Sequence, residues 1–177
     1  RKLFSAFYGK LQDTEFSRRK IPKFITELQI DLSEAKIEDP SGYRTFNDFF
    51  SRQLKPEARP IAAAPNLLIS PADGRVLAWD NIDKDRLIQV KGMSYTLADL
   101  LQDPQRAIEY HQGTCLVIRL SPADYHRFHF PDSGVPEKSQ LIKGCYYSVN
   151  PLALAQIPRL YCAHKRELTL FNSDNFG

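Results

Sequence analysis

The chain has 177 residues and a mass of 20.3 kDa, the size of one ordinary domain or of one domain with a small appendage. Hydrophobic residues make up 42% of it, enough to build a core, which excludes wholesale disorder. The formal net charge of +3 is too small to indicate nucleic acid as a partner, and no nucleic-acid-binding signature occurs.

The first third of the chain is predicted to be helical. Residues 3–12 and 21–32 each place apolar side chains at a spacing of about 3.6 residues, which gives each segment one apolar face. Thr45 suits the N-cap of a third, short helix over residues 46–54, whose phenylalanines would face the core. Prolines soon after this helix end it and lead into an extended linker.

Positive charge is concentrated in residues 1–23, which carry a local sum of 7 − 2 = +5. Aromatic residues are interspersed with these cations. The segment could therefore lie on an anionic membrane surface, or it could be a solvated helix that packs its aromatics on the protein body.

From about residue 67 the pattern changes to short apolar or alternating runs between turn residues, which predict strands. These runs are LLISPA (67–72), GRVLAWD (74–80), RLIQVKG (86–92), TCLVIRL (114–120), SQLIKGCYYSV (139–149) and ELTLFN (167–172). TLADLLQD (96–103), capped by Thr96, is the one helix predicted in this part. We therefore predict an α+β fold with N-terminal helices over residues 1–60 and a mainly antiparallel, β-rich body over residues 61–177.

The three cysteines fit neither a zinc pattern nor a CxxC motif. Cys115 and Cys145 lie in apolar strand-like runs, where we expect buried free thiols. No stretch of the sequence approaches the roughly 20 apolar residues of a membrane span.

The phrase SPAD occurs twice, at residues 70–73 and 121–124, each time after an apolar run. In the first copy, Asp73 precedes a glycine, which is typical of a hairpin turn but also suits a carboxylate that orients a histidine. The second copy continues into His126 and His129. In a helical turn both imidazoles would share one face, whereas in an extended segment they would point to opposite sides.

Three kinds of site are compatible with the two histidines. A metal site would need further ligands, such as Asp73, His111 or His164, and no HExxH, HxH or cysteine cluster is present. Two buried core histidines are the structural alternative. Histidine-plus-carboxylate chemistry is the favoured hypothesis, although GxSxG is absent and no serine or cysteine has the context of a nucleophile.

Five blocks of the sequence together resemble the phosphatidylserine decarboxylase family. They are YRTFNDFFSRQLKPEARPI (43–61), SPADGRV (70–76), VKGMSYTLADLL (90–101), LSPADYHRFHFPDSG (120–134) and YYSVNPLAL (146–154). Their common order, over about residues 20–177, makes the resemblance specific. It implies a pyruvoyl-dependent lyase that converts phosphatidylserine to phosphatidylethanolamine and CO2 as a peripheral protein, on either the bacterial cytoplasmic membrane or a eukaryotic organelle membrane.

The resemblance also implies roles for individual residues. In the family a proenzyme cuts itself at a Gly-Ser bond, and the serine becomes the pyruvoyl cap of a small α chain. Asp73 and His129 match the residues that form a Ser-His-Asp triad with that serine. His126 matches the histidine beside the pyruvoyl group and the substrate, and we expect it to donate the proton that follows decarboxylation. The pyruvoyl carbonyl acts as the electron sink.

Two departures from the family pattern bear on these expectations. No LGST, GGST or GSS string occurs, so we expect a truncated β chain whose partner α chain holds the pyruvoyl group, rather than a chain whose new C-terminus is Gly177. His164 stands where the family usually has Asn, while Arg166 keeps the family's arginine. No role is assigned to His164.

The expected partners are therefore the α chain, phosphatidylserine and a phospholipid membrane surface, with a homodimer also considered and no nucleic acid. Two alternatives differ in class. One is a decarboxylase-like module that binds phospholipid without catalysis. The other is a metal-dependent hydrolase that uses Asp73, His126 and His129.

Overall fold

Short helices and short strands alternate along the chain in a computed structural model that describes residues 2–62, 64, 66–90 and 93–176. The helices are α1 (Lys2–Leu11), α2 (Ile21–Leu28), α3 (Phe46–Phe50), α4 (Leu97–Leu101), α5 (Pro104–Glu109), α6 (Pro151–Gln156) and α7 (Leu160–Ala163). The strands are β1 (Arg75–Trp79), β2 (Leu87–Val90), β3 (Met93–Tyr95), β4 (Cys115–Arg119), β5 (Gly134–Pro136), β6 (Gln140–Ile142), β7 (Arg166–Leu168) and β8 (Phe171–Ser173).

Within the described residues the strands form two-stranded sheets, which pair β1 with β4, β2 with β3, β5 with β8 and β6 with β7. The β2–β3 and β6–β7 pairs are antiparallel, and a bulge interrupts the first of them between Ile88 and Val90. The predicted α+β class is confirmed.

The chain divides into two compact units. The first unit comprises Arg1–Val76, Ile118–Gly134 and Ser173–Gly177, and the second comprises Leu77–Val117 and Val135–Asn172. The predicted division into a membrane-contact region over residues 1–60 and a catalytic core over residues 61–177 concerns function, and it stays a prediction.

Aromatic side chains build the core of the first unit. Phe49 of α3 is fully buried, and its ring meets the ring of Tyr43 edge to face with centroids 5.4 Å apart. Phe24 of α2 meets Phe46 in the same way at 5.0 Å. The buried Ser17 hydroxyl accepts a 2.8 Å hydrogen bond from the backbone N–H of Phe46, which fixes the start of α3 against the preceding N-terminal segment. The phenylalanines of the third predicted helix therefore face a core, as expected.

Aliphatic side chains dominate the core of the second unit. Its buried members are Ile82, Leu87, Tyr95, Leu97, Leu101 and Ala107. Cys115 and Cys162 pack against this cluster as half-buried free thiols, and burial raises the pKa of both. Cys145 is also free and half-buried, so Cys115 and Cys145 are free thiols as predicted but are only partly buried.

The predicted strand LLISPA (67–72) does not form, because prolines interrupt its pairing with the histidine segment. Ile69 N donates to Pro131 O at 3.0 Å and His129 N donates to Pro71 O at 2.8 Å, which is the start of an antiparallel ladder. Pro71 and Pro131 have no N–H to continue it, so the pairing stops after two bonds. The predicted strand RLIQVKG appears as β2, and its last two positions lie outside the described residues.

Besides the predicted α4, the described residues of the part predicted to be mainly β contain three short helices, α5, α6 and α7. Asp103 caps α5 by accepting hydrogen bonds from two backbone N–H groups, and Asn150 caps α6 through the N–H of Ala153. Each cap is followed by a proline in the first helical turn, where proline is tolerated. The Asp-Pro and Asn-Pro dipeptides were therefore helix-start signals. Among the described residues, no helix has the length and apolar content needed to cross a membrane.

Candidate active site

The two backbone hydrogen bonds between residues 69–71 and 129–131 bring the first SPAD segment beside the second histidine. His129 N donates to Pro71 O, and Pro71 lies two residues before Asp73. This hydrogen bond holds the backbone of His129 close to that of Asp73. All of these residues belong to the first unit. The neighbourhood of Asp73 and His129 therefore follows from backbone pairing and does not depend on a direct contact of the two side chains.

Asp73 reaches the site because the next residue is glycine. Gly74 has φ +138°, and a Cβ at this position would lie 2.6 Å from the carbonyl oxygen of Arg119. Only glycine fits such a backbone without displacing its neighbour. The chain enters β1 directly after Gly74, so the Asp-Gly pair ends an irregular segment and does not form the hairpin turn that was its structural alternative.

The Asp73 carboxylate is bound by Arg59. Arg59 Nε lies 3.0 Å from each carboxylate oxygen, and Nη2 donates to Oδ2 at 2.6 Å. Arg59 Nη1 also donates to Glu34 Oε2 at 3.0 Å. Hydrogen bonding to Asp73 raises the pKa of the Arg59 guanidinium, which therefore stays charged at any physiological pH.

The imidazole of His129 faces Tyr125. Its Nε2 lies 3.3 Å from the Tyr125 hydroxyl, and the two rings stack with centroids 5.8 Å apart and an interplanar angle of 21°. Tyr125 is buried while His129 is exposed. The buried phenol thus holds the orientation of a ring whose other face is open to solvent.

Asp73 and His129 line the same cavity, which has a volume of about 580 Å³. Arg59 and Tyr125 line it as well, so a cation, a carboxylate, a phenol and an imidazole share one space with apolar walls. These walls are contributed by Leu54, Pro56, Pro60, Ile61, Ile69, Ala72 and Phe130. A mixed lining of this kind is typical of a small-molecule or catalytic site.

His126 has different surroundings. Its ring packs on Phe50 with centroids 4.0 Å apart, and Nδ1 lies 2.8 Å from the carbonyl oxygen of Asp124. A carbonyl can only accept, so Nδ1 carries a hydrogen and Nε2 is the nitrogen left for proton exchange. Residues 125–130 are not helical, and His126 does not line the cavity of Asp73 and His129. The extended alternative, in which only one histidine enters this cavity, is the one observed.

Two arginines fasten the histidine segment to the end of α3. The buried Arg52 donates from Nη2 to the carbonyl oxygen of Ala123 at 2.8 Å, and its guanidinium lies 5.5 Å from the centroid of the Phe49 ring. Arg127 Nε donates to Ser51 O at 2.8 Å. The position of both histidines therefore depends on the aromatic core of the first unit.

The second SPAD segment serves a structural purpose. The carboxylate of Asp124 accepts from the backbone N–H of Ser121, and Asp124 N donates to Ser121 O at 3.0 Å. Asp124 thus closes its own turn, whereas Asp73 of the first copy is turned towards Arg59. The two SPAD copies therefore differ: the aspartate of the second closes a local turn, and the aspartate of the first makes a long-range contact.

His164 is held at both ring nitrogens by backbone carbonyls. Nδ1 lies 2.7 Å from Lys165 O, and Nε2 lies 2.9 Å from Tyr147 O. Across the described residues, no group of three or more His, Cys, Asp or Glu side chains is arranged to hold a metal ion. Neither His164 nor His111 joins the cavity of Asp73 and His129.

Sequence analysis missed two residues of this cavity, Arg59 and Tyr125. Arg59 stands between alanine and proline in a stretch that otherwise predicts only a linker, so its carboxylate partners 25 and 14 positions away left no local trace. Tyr125 precedes His126 in the sequence and is an ordinary core candidate. Its spacing of four residues from His129 was the available signal, although that spacing usually indicates contact only in a helix.

Comparisons of the sequence with a family profile and with individual proteins identify the same family. The sequence profile of the family described as phosphatidylserine decarboxylase matches residues 46–177. A phosphatidylserine decarboxylase proenzyme of Clostridium botulinum (strain Alaska E43 / Type E3) is 51% identical over 177 residues, which cover 100% of this chain and 60% of that protein. The proenzyme of Clostridium beijerinckii is 51% identical over 99% of this chain and 59% of its own length. That of Desulfitobacterium hafniense (strain Y51) is 50% identical, with coverages of 100% and 59%. The chain thus spans about 60% of the length of the curated relatives it matches.

Proposed function

The chain belongs to the phosphatidylserine decarboxylase family, and we propose that it is the β chain of a pyruvoyl-dependent enzyme that converts phosphatidylserine to phosphatidylethanolamine and CO2. The observation that carries this proposal is the cavity shared by Asp73 and His129, because it combines the two side chains that self-cleavage of a proenzyme requires. The α chain, with the pyruvoyl group at its N-terminus, is the partner that the proposal requires.

In self-cleavage, His129 acts as the general base. A serine hydroxyl is far too weak an acid to ionise at neutral pH, so its attack on the preceding carbonyl needs an imidazole that accepts its proton. His129 Nε2 lies 3.3 Å from the Tyr125 hydroxyl, which the serine hydroxyl would replace at this nitrogen. Asp73 orients the imidazole and stabilises its protonated form.

In decarboxylation, His126 supplies the proton that replaces CO2 on the substrate carbon. Its hydrogen bond to the Asp124 carbonyl fixes Nδ1, which leaves Nε2 as the site of proton uptake and release. The contact of its ring with Phe50 keeps one side of the imidazole away from water. We therefore propose different proton transfers for His129 and His126.

The pyruvoyl group fits the composition of the cavity. When bound, it supplies a carbonyl that accepts the electrons released with CO2. Ile61, Ile69 and Phe130 add apolar surface to the lining of this cavity.

Contact with a phospholipid surface is supported by the N-terminal segment. Phe7, Leu11 and Phe16 are exposed, with 62%, 42% and 71% of their surface accessible. The guanidinium of Arg19 lies 4.8 Å from the centroid of the Phe16 ring, which places a cation beside an exposed aromatic side chain. This combination is typical of a helix that lies in an anionic membrane interface.

The decisive test is mass spectrometry of the protein expressed from its complete gene. We expect two chains, the smaller one blocked at its N-terminus by a ketone-bearing group, and release of CO2 from phosphatidylserine in vesicles. A protein that stays uncut and binds phosphatidylserine vesicles without releasing CO2 would replace this proposal with the non-catalytic phospholipid-binding module. Stoichiometric zinc or iron in the purified protein would favour the metal-dependent hydrolase.

A further inference from the structure

We propose that Arg59 is a positioning residue for self-cleavage, which holds the Asp73 carboxylate so that one of its oxygens is presented to His129. The inference rests on the proposed function and extends it, because it assigns a role to a side chain outside the Ser-His-Asp triad.

The distribution of donors on the carboxylate carries the argument. Oδ2 of Asp73 receives Nη2 of Arg59 at 2.6 Å and shares Nε at 3.0 Å, whereas Oδ1 receives only the shared Nε, also at 3.0 Å. A carboxylate offers about four lone-pair positions. Oδ1 is thus the less occupied oxygen, and it is the one we expect to accept the N–H of an imidazole.

Arg59 is itself fixed from behind. Its Nη1 donates to Glu34 Oε2 at 3.0 Å and to Ala58 O at 2.6 Å, so every nitrogen of the guanidinium has an acceptor. Because the guanidinium bonds to Glu34 through Nη1 and to Asp73 through Nε and Nη2, its plane sets the plane of the Asp73 carboxylate.

The backbone supports the same arrangement. Lys55 N donates to Glu34 O at 2.8 Å, and Lys36 N donates to Gln53 O at 2.9 Å. These bonds hold the segment that carries Glu34 against the segment that leads to Arg59. Glu34, Arg59 and Asp73 therefore form a continuous row of charged side chains that ends at the cavity of His129.

A stabilising role alone would not require this geometry. The Arg59 and Asp73 side chains retain 45% and 27% of their accessible surface, and ion pairs of such exposure contribute little to folding. The orientation of a catalytic group, by contrast, affects the rate strongly, since a misplacement of about 1 Å can cost about 100-fold.

The test measures the rate of self-cleavage in the full-length protein, freshly unfolded and refolded. We expect Arg59→Ala to slow cleavage by about 100-fold. Added guanidinium ion should restore part of the rate, and Arg59→Lys should lie between Arg59→Ala and the parent protein. A side chain needed only for folding would not respond to guanidinium.

A matched control and a double variant separate the outcomes. Arg44→Ala removes an exposed arginine of the same unit, 3.7 Å from Glu15, and should leave the rate unchanged. In an Asp73→Asn background, Arg59→Ala should cause no further loss. If Asp73→Asn alone cleaves at the parental rate, the proposed triad is wrong. If Asp73→Asn does not cleave while Arg59→Ala cleaves at the parental rate, only the role of Arg59 is overturned. The same holds if Arg59→Ala is slow and added guanidinium does not restore any of its rate.

Discussion

His164 and Arg166 of the second unit have a different kind of partner from His129 and Arg59 of the first unit. In the second unit, both nitrogens of His164 face backbone carbonyls, and Arg166 spends its guanidinium on the carbonyl oxygens of Asp99, Leu100, Cys162 and His164 at 2.6–3.2 Å. In the first unit, His129 has a single 3.3 Å contact with a hydroxyl, and Arg59 binds carboxylates.

This difference separates structural from chemical side chains. A ring or guanidinium saturated by carbonyl oxygens has no capacity left for a substrate, whereas one that faces titratable or exchangeable groups can change partners during a reaction.

The histidines give the largest expected difference. His129→Ala should slow self-cleavage of the full-length protein by about 10³-fold or more, because the serine loses its general base. His164→Asn in the second unit should leave the rate within a factor of about two, since its ring serves only local backbone carbonyls. Gel electrophoresis over time measures both rates. Full cleavage of the His129 variant would contradict the contrast.

His126 should separate the two reactions of the first unit. His126→Gln should permit self-cleavage but lower the decarboxylation rate of the cleaved protein by about 10²- to 10⁴-fold, because proton donation to the product carbon is lost. Release of labelled CO2 from phosphatidylserine vesicles measures the second reaction. If His126→Gln lost self-cleavage and decarboxylation to the same extent, His126 would not have a role separate from that of His129.

Replacing Arg166 should lower the free energy of unfolding more than replacing Arg59. Arg166→Met leaves several backbone carbonyls of the second unit without their charged donor, and we expect it to lower the free energy of unfolding by about 2–4 kcal/mol. Arg59→Met removes a partly exposed ion pair and should cost about 0–1 kcal/mol. Urea titration followed by circular dichroism compares the two. A larger cost at Arg59 would make it the structural residue.

Helix caps should behave alike in both units. Thr45 accepts a 3.0 Å hydrogen bond from Asp48 N, and Thr96 accepts one of the same length from Asp99 N. Replacing either threonine by alanine should cost about 1 kcal/mol, while serine should retain most of the stability. Thermal unfolding of the four variants provides the measurement. A larger cost at Thr96 would measure its additional hydrogen bond, from Thr96 Oγ1 to Asp99 Oδ2 at 2.7 Å, and a larger cost at Thr45 would contradict the expectation.

The regular elements of the fold could be predicted where local signals agree. The helical spacing of residues 21–32, the cap at Thr45 and the apolar run of β1 each depend on neighbours in sequence. Each element forms, although α2 ends at Leu28 and α3 at Phe50. The prolines of LLISPA and of the histidine segment oppose a longer ladder, so that strand is absent. The short helices α5 and α6 were missed although their caps were visible.

The candidate site could be predicted only in part. The resemblance indicated Asp73, His126 and His129, and the structure brings two of these three to one cavity. Tyr125 lies only four residues from His129, but in a segment that is not helical. Arg59 could not be found locally, because it pairs with carboxylates 25 and 14 positions away. Such pairing is a property of the folded chain and leaves no periodic pattern.

The hydrogen bond between His129 N and Pro71 O closes a loop of 129 − 71 = 58 residues. Closing a loop of this length costs chain entropy, and contacts of such separation slow folding. Residues 77–117 within the loop belong to the second unit. Under the proposed function, a chain in which this bond has not formed would lack the neighbouring aspartate and histidine. Self-cleavage would then commit only molecules in which this long-range pairing exists.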